Sequence, residues 1–313
     1  MSYEHIPVLL KEAIEYLSPK LGENFIDATL GGGGYSRQIL QRIGPGGRLL
    51  SIDLDTNAID NSKLQITKLN IQNWQLAHGN FSHLDTLIKN HNFPSPNGIV
   101  ADLGLSSYLL DDAKIGISFQ KNELLDMRFD QSQSEEDAKY ILNHKSLEEL
   151  TEIFRGYGEE KYSFQIAKNI VNSRTENLIN YTSELYAIIE DSLPKPVKHT
   201  AASSARRIFQ ALRIAVNHEL ENLKTFLPKA LDILSPGGRL VIVAFHSLED
   251  RIVKDFFLDA AKGCICPIDF PICLCGRTPM AKILTKKPVV ADGEESVENS
   301  RSRSAKLRAI VKL

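Results

Sequence analysis

Two short segments of the chain carry residue types that do chemistry. In the first, Phe25-Ile26-Asp27-Ala28-Thr29-Leu30, an apolar run ends in four glycines, Gly31 to Gly34. Glycines at such a turn allow positive φ and let a ligand approach the backbone closely. Asp53 closes the next apolar run about 20 residues further on, where a carboxylate can accept hydrogen bonds from ribose hydroxyls. Asp55 competes for that role, or caps a helix. The second segment, Ala101-Asp102-Leu103-Gly104-Leu105-Ser106-Ser107-Tyr108, places a carboxylate, two hydroxyls and an aromatic ring together. Phe81, in His78-Gly79-Asn80-Phe81, can lie against an adenine face or belong to the core.

The glycine loop and its acid are shared with the dinucleotide fingerprint, and an NAD-dependent oxidoreductase is therefore one reading. Its third glycine would fall at Ser36, and S-adenosylmethionine, which has a ribose and a carboxylate but no phosphate, suits that departure better. A weakly nucleophilic amino group conjugated to a pyrimidine would need acceptors that orient its N–H groups, and Asp102 is the candidate acceptor. Ser106 and Ser107 offer hydroxyls there, or cap a turn. His246, in Ala244-Phe245-His246-Ser247, can accept a proton or serve as a structural histidine at a strand end. Tyr108 or Phe245 could stack on a base turned out of its helix.

These residues need a scaffold. Apolar runs bounded by turns at Asn24 to Leu30, Arg48 to Asp55, Trp74 to His78, Gly98 to Leu103 and Arg239 to His246 read as strands, with helical patterns such as Tyr35 to Ile43 between them. That alternation predicts an α/β fold, a Rossmann-like and mostly parallel sheet. The gap between Leu103 and Arg239 is too long for an ordinary crossover. It holds a capping box, Ser146 with Glu149, and a helical pattern following Thr182. An inserted all-helical subdomain is expected at 112–198, with the core formed by 1–111 and 199–313. A long amphipathic helix returns to the core, with Ile208, Leu212, Val216, Leu220, Leu223 and Leu227 on one stripe and Pro228 breaking or restarting it. Ser247 onward reads as helix, and Lys306 to Lys312 alternates like a last strand, a candidate for the sheet edge.

Composition narrows the classes further. The chain has 313 residues and a net charge of −2, so contacts to nucleic acid would have to come from local basic groups. Lys195, Lys198, His199, Arg206, Arg207 and Arg213 form one such group, and Arg301, Arg303, Lys306 and Arg308 another; the alternative is a solvated helix face and a basic tail. Nothing in the sequence has the length and apolarity of a membrane span or an export signal. All four cysteines, Cys264, Cys266, Cys273 and Cys275, are clustered, which suits a reducing cytoplasm rather than a disulfide framework. They could ligate zinc, form a buried reduced cluster, or occupy a loop without metal.

Along nearly its whole length the sequence resembles the bacterial 16S ribosomal RNA cytosine-N4 methyltransferases, the RsmH or MraW family. The matching segments are His5 to Leu10, Asp27 to Gly34, Asp102 to Ser107, Leu125 to Arg128, Tyr157 to Glu160 and Ala244 to Arg251. The resemblance implies a class I methyltransferase core with a helical substrate-recognition insertion. It also implies S-adenosylmethionine held by Gly33, Gly34, Tyr35, Asp53, Phe81 and Asp102, and a decoding-site cytosine of 16S ribosomal RNA, within the small subunit, as target. Asp102, Ser107 and His246 are the candidate catalytic residues, and direct methyl transfer needs neither a metal nor a cysteine nucleophile. The family usually has histidine at the position of Tyr35 and glutamine at that of Leu109; Tyr35 keeps a ring and a polar tip, whereas Leu109 offers no hydrogen bond. A non-catalytic, RNA-binding ribosome-assembly factor on the same fold is the alternative outside enzymes.

Overall fold

The structure is a computed structural model that describes residues 7–104, 114–131, 136–266 and 274–313. The chain divides into two compact units, Met1–Gly104 with Leu220–Leu313, and Leu105–Glu219.

The first unit is built on seven strands: β1 (Asn24–Asp27), β2 (Arg48–Asp53), β3 (Trp74–His78), β4 (Gly98–Asp102), β5 (Arg239–Ala244), β6 (Ala281–Ile283) and β7 (Lys306–Lys312). Their order is β3-β2-β1-β4-β5-β7-β6. The first five are parallel, while β7 runs antiparallel to both β5 and β6. This doubly wound sheet with an antiparallel strand is the class I methyltransferase arrangement that the resemblance implies. Its helices are α1 (Leu10–Leu17), α2 (Gly34–Ile43), α3 (Thr56–Leu69) and α4 (Leu84–Asn90) before the second unit.

Strand alternation explains why both faces are covered. Side chains one residue apart point to opposite sides of a sheet. Accordingly Ile26, Leu50, Ile99, Leu240 and Ile310 join one buried cluster, whereas their neighbours Phe25, Leu49, Val100, Val241 and Ala309 join another with Ile14 and Leu17 of α1 and Ile39 and Ile43 of α2. Strands buried on both faces read as continuous apolar runs, which makes them recognisable in the sequence.

The second unit contributes α5 (Ala138–His144), α6 (Leu147–Gly156), α7 (Ser163–Ser173), α8 (Thr182–Ser192) and α9 (Ala201–Asn217). The Ser146 hydroxyl caps α6 by accepting from the Glu149 amide, and Glu149 reaches back to the Ser146 amide at 2.7 Å. Leu150 and Phe154 of α6, Ile166 of α7, Leu185 and Ile189 of α8 and Ile208 and Leu212 of α9 share one core. Asn217 ties the end of this unit to an earlier segment: its amide group donates to the Met127 carbonyl at 2.8 Å, and its oxygen accepts from the Phe129 amide at 2.9 Å.

Three expectations are corrected. The single long helix is two, α9 and α10 (Glu219–Ile233), because His218 adopts a left-handed conformation, φ 51°, that ends α9. The stripe therefore splits: Ile208, Leu212 and Val216 pack in the helical unit, and Leu223 and Leu227 under the sheet. Pro228 neither breaks nor restarts α10 but lies inside it. The missing N–H removes one helical bond, and the burial of Phe226, Leu227, Ala230 and Leu231 around it holds the helix together. Lys306–Lys312 is not an edge strand, since β6 covers its outer side. The remaining helices are α11 (Ser247–Ala260) and α12 (Gly293–Glu298). Among the described residues no helix is long and apolar enough to cross a membrane.

Candidate active site

The sheet reverses its winding between β1 and β4, and the carboxyl ends of strands at such a switch point are where open α/β sheets hold ligands. Three carboxylates meet that edge. Asp27 of β1 pairs in register with Ser51 of β2 and Val100 of β4. Asp53 and Asp102 each lie two residues beyond those partners, about 7 Å higher along the strands, and their strands flank β1 at a mutual distance of about 10 Å. The two acids thus stand on either side of the glycine loop as it leaves β1.

Backbone bonds fix that loop. The Ala28 amide donates to Val100 and the Leu30 amide to Ile52, both at 2.8 Å, so the loop is pinned to both neighbouring strands. Thr29 Oγ1 accepts from the Asp102 amide at 2.6 Å, and Asp53 Oδ2 accepts from the Gly31 amide at 2.7 Å. Gly33, at φ 72°, turns the chain into α2, a conformation that costs other residues more than glycine. Gly34 is glycine for a different reason: a Cβ there would overlap the Pro7 ring.

Asp27 is fully buried. Its Oδ2 accepts from Ser36 Oγ at 2.6 Å. Ser36 in turn lies 2.7 Å from Ser51 Oγ, which accepts from the Trp74 indole at 2.8 Å. Since the indole can only donate, the protons run from Trp74 through Ser51 and Ser36 to the carboxylate. Burial raises the Asp27 pKa from 3.8 to about 7 against the opposing Ser36 and Thr29 bonds, with the Asp53 charge adding to it. Burial likewise raises Asp53 to about 6, against the amides of Asp55 and Gly31. Asp102 is pushed to about 7 by burial, partly offset by the Gly104 amide and reinforced by Asp27 and Glu249. Its Oδ1 is buried with no hydrogen-bond partner among the described residues. A buried carboxylate oxygen without a donor is costly, which makes Asp102 the candidate acceptor at this edge.

Such an edge favours a ligand that is cationic and carries hydroxyls. It disfavours a pyrophosphate, whose charge would add to that of each acid as it ionises.

The other expected residues divide. Tyr35 is in the core, its hydroxyl donating to the Val8 carbonyl, so its side chain is taken and only its backbone is left for a ligand. Gly34 packs its Cα against the Pro7 ring and its backbone opens α2. Phe81 sits at the end of β3 with its ring edge-on to Phe226, centroids 5.0 Å apart, an anchored ring at the sheet edge. His246 caps α11: its Nδ1 accepts from the Glu249 amide at 3.4 Å, and Nε2 is 3.2 Å from Glu249 Oε1 without a hydrogen bond. The Nδ1 cap fixes the ring at the head of α11 and leaves Nε2 without a hydrogen-bond partner among the described residues. Phe245, beside it, lies against Gly104, where a Cβ would come 2.7 Å from its ring. Ser107, with Ser106, Tyr108 and Leu109, falls outside the described residues.

Both basic groups are largely engaged within their own units. Lys198 pairs with Asp191 and Arg207 with Glu160, and Arg213 forks onto Glu219 at 2.8 and 2.9 Å. Lys306 and Arg308 both hold Asp250, and Arg303 donates to the Ser296 carbonyl; the Arg301 side chain is outside the described residues. Lys195, His199 and Arg206 stay exposed, with no ion pair among the described residues.

Sequence reasoning missed Asp27, Thr29, Pro7 and Glu249 as individual site-building residues. All four lie in segments that carried the family resemblance, and that was the signal available.

The profile of the MraW methylase family matches residues 2–313. A protein named ribosomal RNA small subunit methyltransferase H from Pelobacter propionicus is 44% identical over 312 residues, 99% of each chain. One of the same name from Clostridium botulinum is 44% identical over 313 residues, 100% of each. Another, from Halothermothrix orenii, is 44% identical over 306 residues, 97% of each.

Proposed function

This chain belongs to the MraW methylase family, and from that premise we propose that it transfers a methyl group from S-adenosylmethionine to small-subunit ribosomal RNA, at the N4 amino group of a decoding-site cytosine. The observation that carries this reading is the buried Asp102 Oδ1 at the switch point, without a hydrogen-bond partner among the described residues and flanked by the glycine loop and Asp53.

The residues present suit the cofactor. S-adenosylmethionine supplies an electrophilic methyl on a positively charged sulfonium, together with a ribose and a methionine tail. Asp53 accepts from ribose hydroxyls with the lone pairs that Gly31 and Asp55 leave free. The turn at Gly31 to Gly33 lets the backbone close on the tail. The negative field of Asp27, Asp53 and Asp102 favours a cation, and the same field argues against an NAD-dependent oxidoreductase.

Toward the substrate, Asp102 supplies what an aromatic amine lacks. Its free oxygen accepts an N–H of the amino group, turns the nitrogen lone pair toward the methyl and stabilises the positive charge that grows on nitrogen. With a pKa near 7 it is then matched to take the proton released after transfer. Thr29 and the Gly104 amide hold Asp102 in place, while Glu249 and His246 fix the Phe245 backbone beside it. Lys195, His199 and Arg206 offer phosphate contacts, and the helical unit is the substrate-recognition element. The reaction belongs in the cytoplasm, with the ribosomal subunits.

The test is transfer of label from S-adenosylmethionine to small subunits lacking modifications, followed by nucleoside analysis. Label in N4-methylcytidine supports the whole reading, and label in another nucleoside overturns the target. Cofactor binding without transfer to any subunit preparation would favour a non-catalytic assembly factor, for which Asp102→Asn would be silent.

A further inference from the structure

Between α11 and β6 lies a long connection, 261–280, whose described residues take no part in the candidate site. Its base is closed by ordinary means: Arg277 donates to the carbonyl and carboxylate of Asp259, both at 2.7 Å, and the Met280 amide donates to Ala260. Its outer part has no apolar core among the described residues, for Ile265 is 52% and Leu274 74% exposed. Cys264 and Cys275 are exposed and Cys266 is half-buried, so these three do not form a buried reduced cluster; Cys273 lies outside the described residues.

Three thiols nevertheless converge. The Sγ atoms of Cys264, Cys266 and Cys275 all lie within 4.8 Å of one another, and Cys264 and Cys275 are 3.8 Å apart. A disulfide needs about 2.05 Å. Two thiolates on one tetrahedral zinc, each about 2.3 Å from the metal, stand about 3.8 Å apart. The backbone contributes donors in a crossed pattern: the Ile265 amide points at Cys275 Sγ and the Leu274 amide at Cys266 Sγ, both at 3.4 Å. Hydrogen bonds to the charged form of a group favour that form, and the thiolate is the form that binds metal.

We propose that Cys264, Cys266 and Cys275 form a structural zinc site that cross-links the two limbs of this connection. Binding these three thiols replaces three protons with one divalent ion and releases the three protons, with the fourth tetrahedral position taken by a ligand outside this trio, such as water. The ion does for this loop what burial does elsewhere in the fold.

The full-length chain, reduced and purified without chelators, is the material for the test. One zinc per chain should survive gel filtration and be released by a thiol-blocking reagent. Replacement by cobalt should give thiolate charge-transfer absorption with the intense visible bands of a tetrahedral ion. Cys264→Ser/Cys275→Ser should retain no metal while keeping the parent far-ultraviolet circular dichroism. Cys273→Ser should keep the cobalt–thiolate absorption, and its complete loss there would overturn the assignment to these three thiols. A folded, reduced parent that retains no zinc and gives no cobalt bands overturns the proposal, whatever the variants do. A Cys264–Cys275 disulfide persisting in the presence of reductant overturns it as well.

Discussion

In the proposed reaction the acceptor that activates the substrate and the charge that destabilises the fold are the same carboxylate, Asp102. Asp102→Asn keeps the shape and one acceptor oxygen but removes the charge. Moving a carboxyl pKa from 3.8 to about 7 makes ionisation cost about 4 kcal/mol more in the folded chain than in the unfolded one; solvent at the partly open edge lowers that to about 2 kcal/mol. Because the folded-state pKa is raised, this penalty is absent below the unfolded value, grows as pH rises through the interval, and is complete above about 7. The variant should therefore be more stable than the parent by about 2 kcal/mol near pH 8, an increase of about 5 °C in Tm, and by less than about 1 kcal/mol near pH 5. Turnover moves the other way, falling roughly a hundredfold. Parental kcat/KM should rise about tenfold per pH unit up to about 7 and then level off, whereas the variant's should be flat across that range. Thermal unfolding at the two pH values and methyl transfer across the range measure both effects. A variant less stable than the parent near pH 8, or one with unimpaired turnover, refutes this double role of Asp102.

Asp53→Ala should weaken S-adenosylmethionine binding about 10- to 100-fold by calorimetry, and unchanged affinity would remove Asp53 from the ribose site. Gly34→Ala forces a Cβ into the Pro7 ring and should cost about 1–3 kcal/mol; Pro7→Ala should recover part of that in the double variant, as a thermodynamic cycle would show. Arg308→Met leaves the nearly buried Asp250 with Lys306 alone and should lower stability by about 3 kcal/mol, read as a drop in Tm with cofactor affinity retained.

Strands buried on both faces were legible because a short, continuous apolar run that follows a turn, such as Arg239–Ala244, fits the interior of a parallel sheet and little else. The three residues of β6 carry no period, and their pairing with β7 depends on contacts between segments that the sequence does not juxtapose. The break at His218 was hidden for a similar reason: an apolar stripe continues through it, and only the backbone conformation records the change of partner. At the site, Asp53 and Asp102 stood out by position at strand ends. Asp27 did not, since a carboxylate within an apolar run gives no sign of the serine and indole that hold it. The cap made by His246 could not be read from sequence, because a histidine at a strand end and a histidine capping the next helix occupy the same place in it.

Asn217 bears on the order in which the chain folds. The neighbouring strands β4 and β5 are separated by more than a hundred residues, yet Gly98 pairs with Arg239. Closing a free segment of that length carries a large entropic cost, and such distant pairings are slow to form. The helical unit holds mostly local contacts and its own core, and once it folds, the Asn217 bonds to Met127 and Phe129 shorten the unstructured chain between β4 and β5 roughly threefold, lowering the closure cost by about 1 kcal/mol. On that basis a chain carrying Asn217→Ala is expected to refold more slowly than its loss of stability alone would require, and refolding at a rate set by stability alone would refute it.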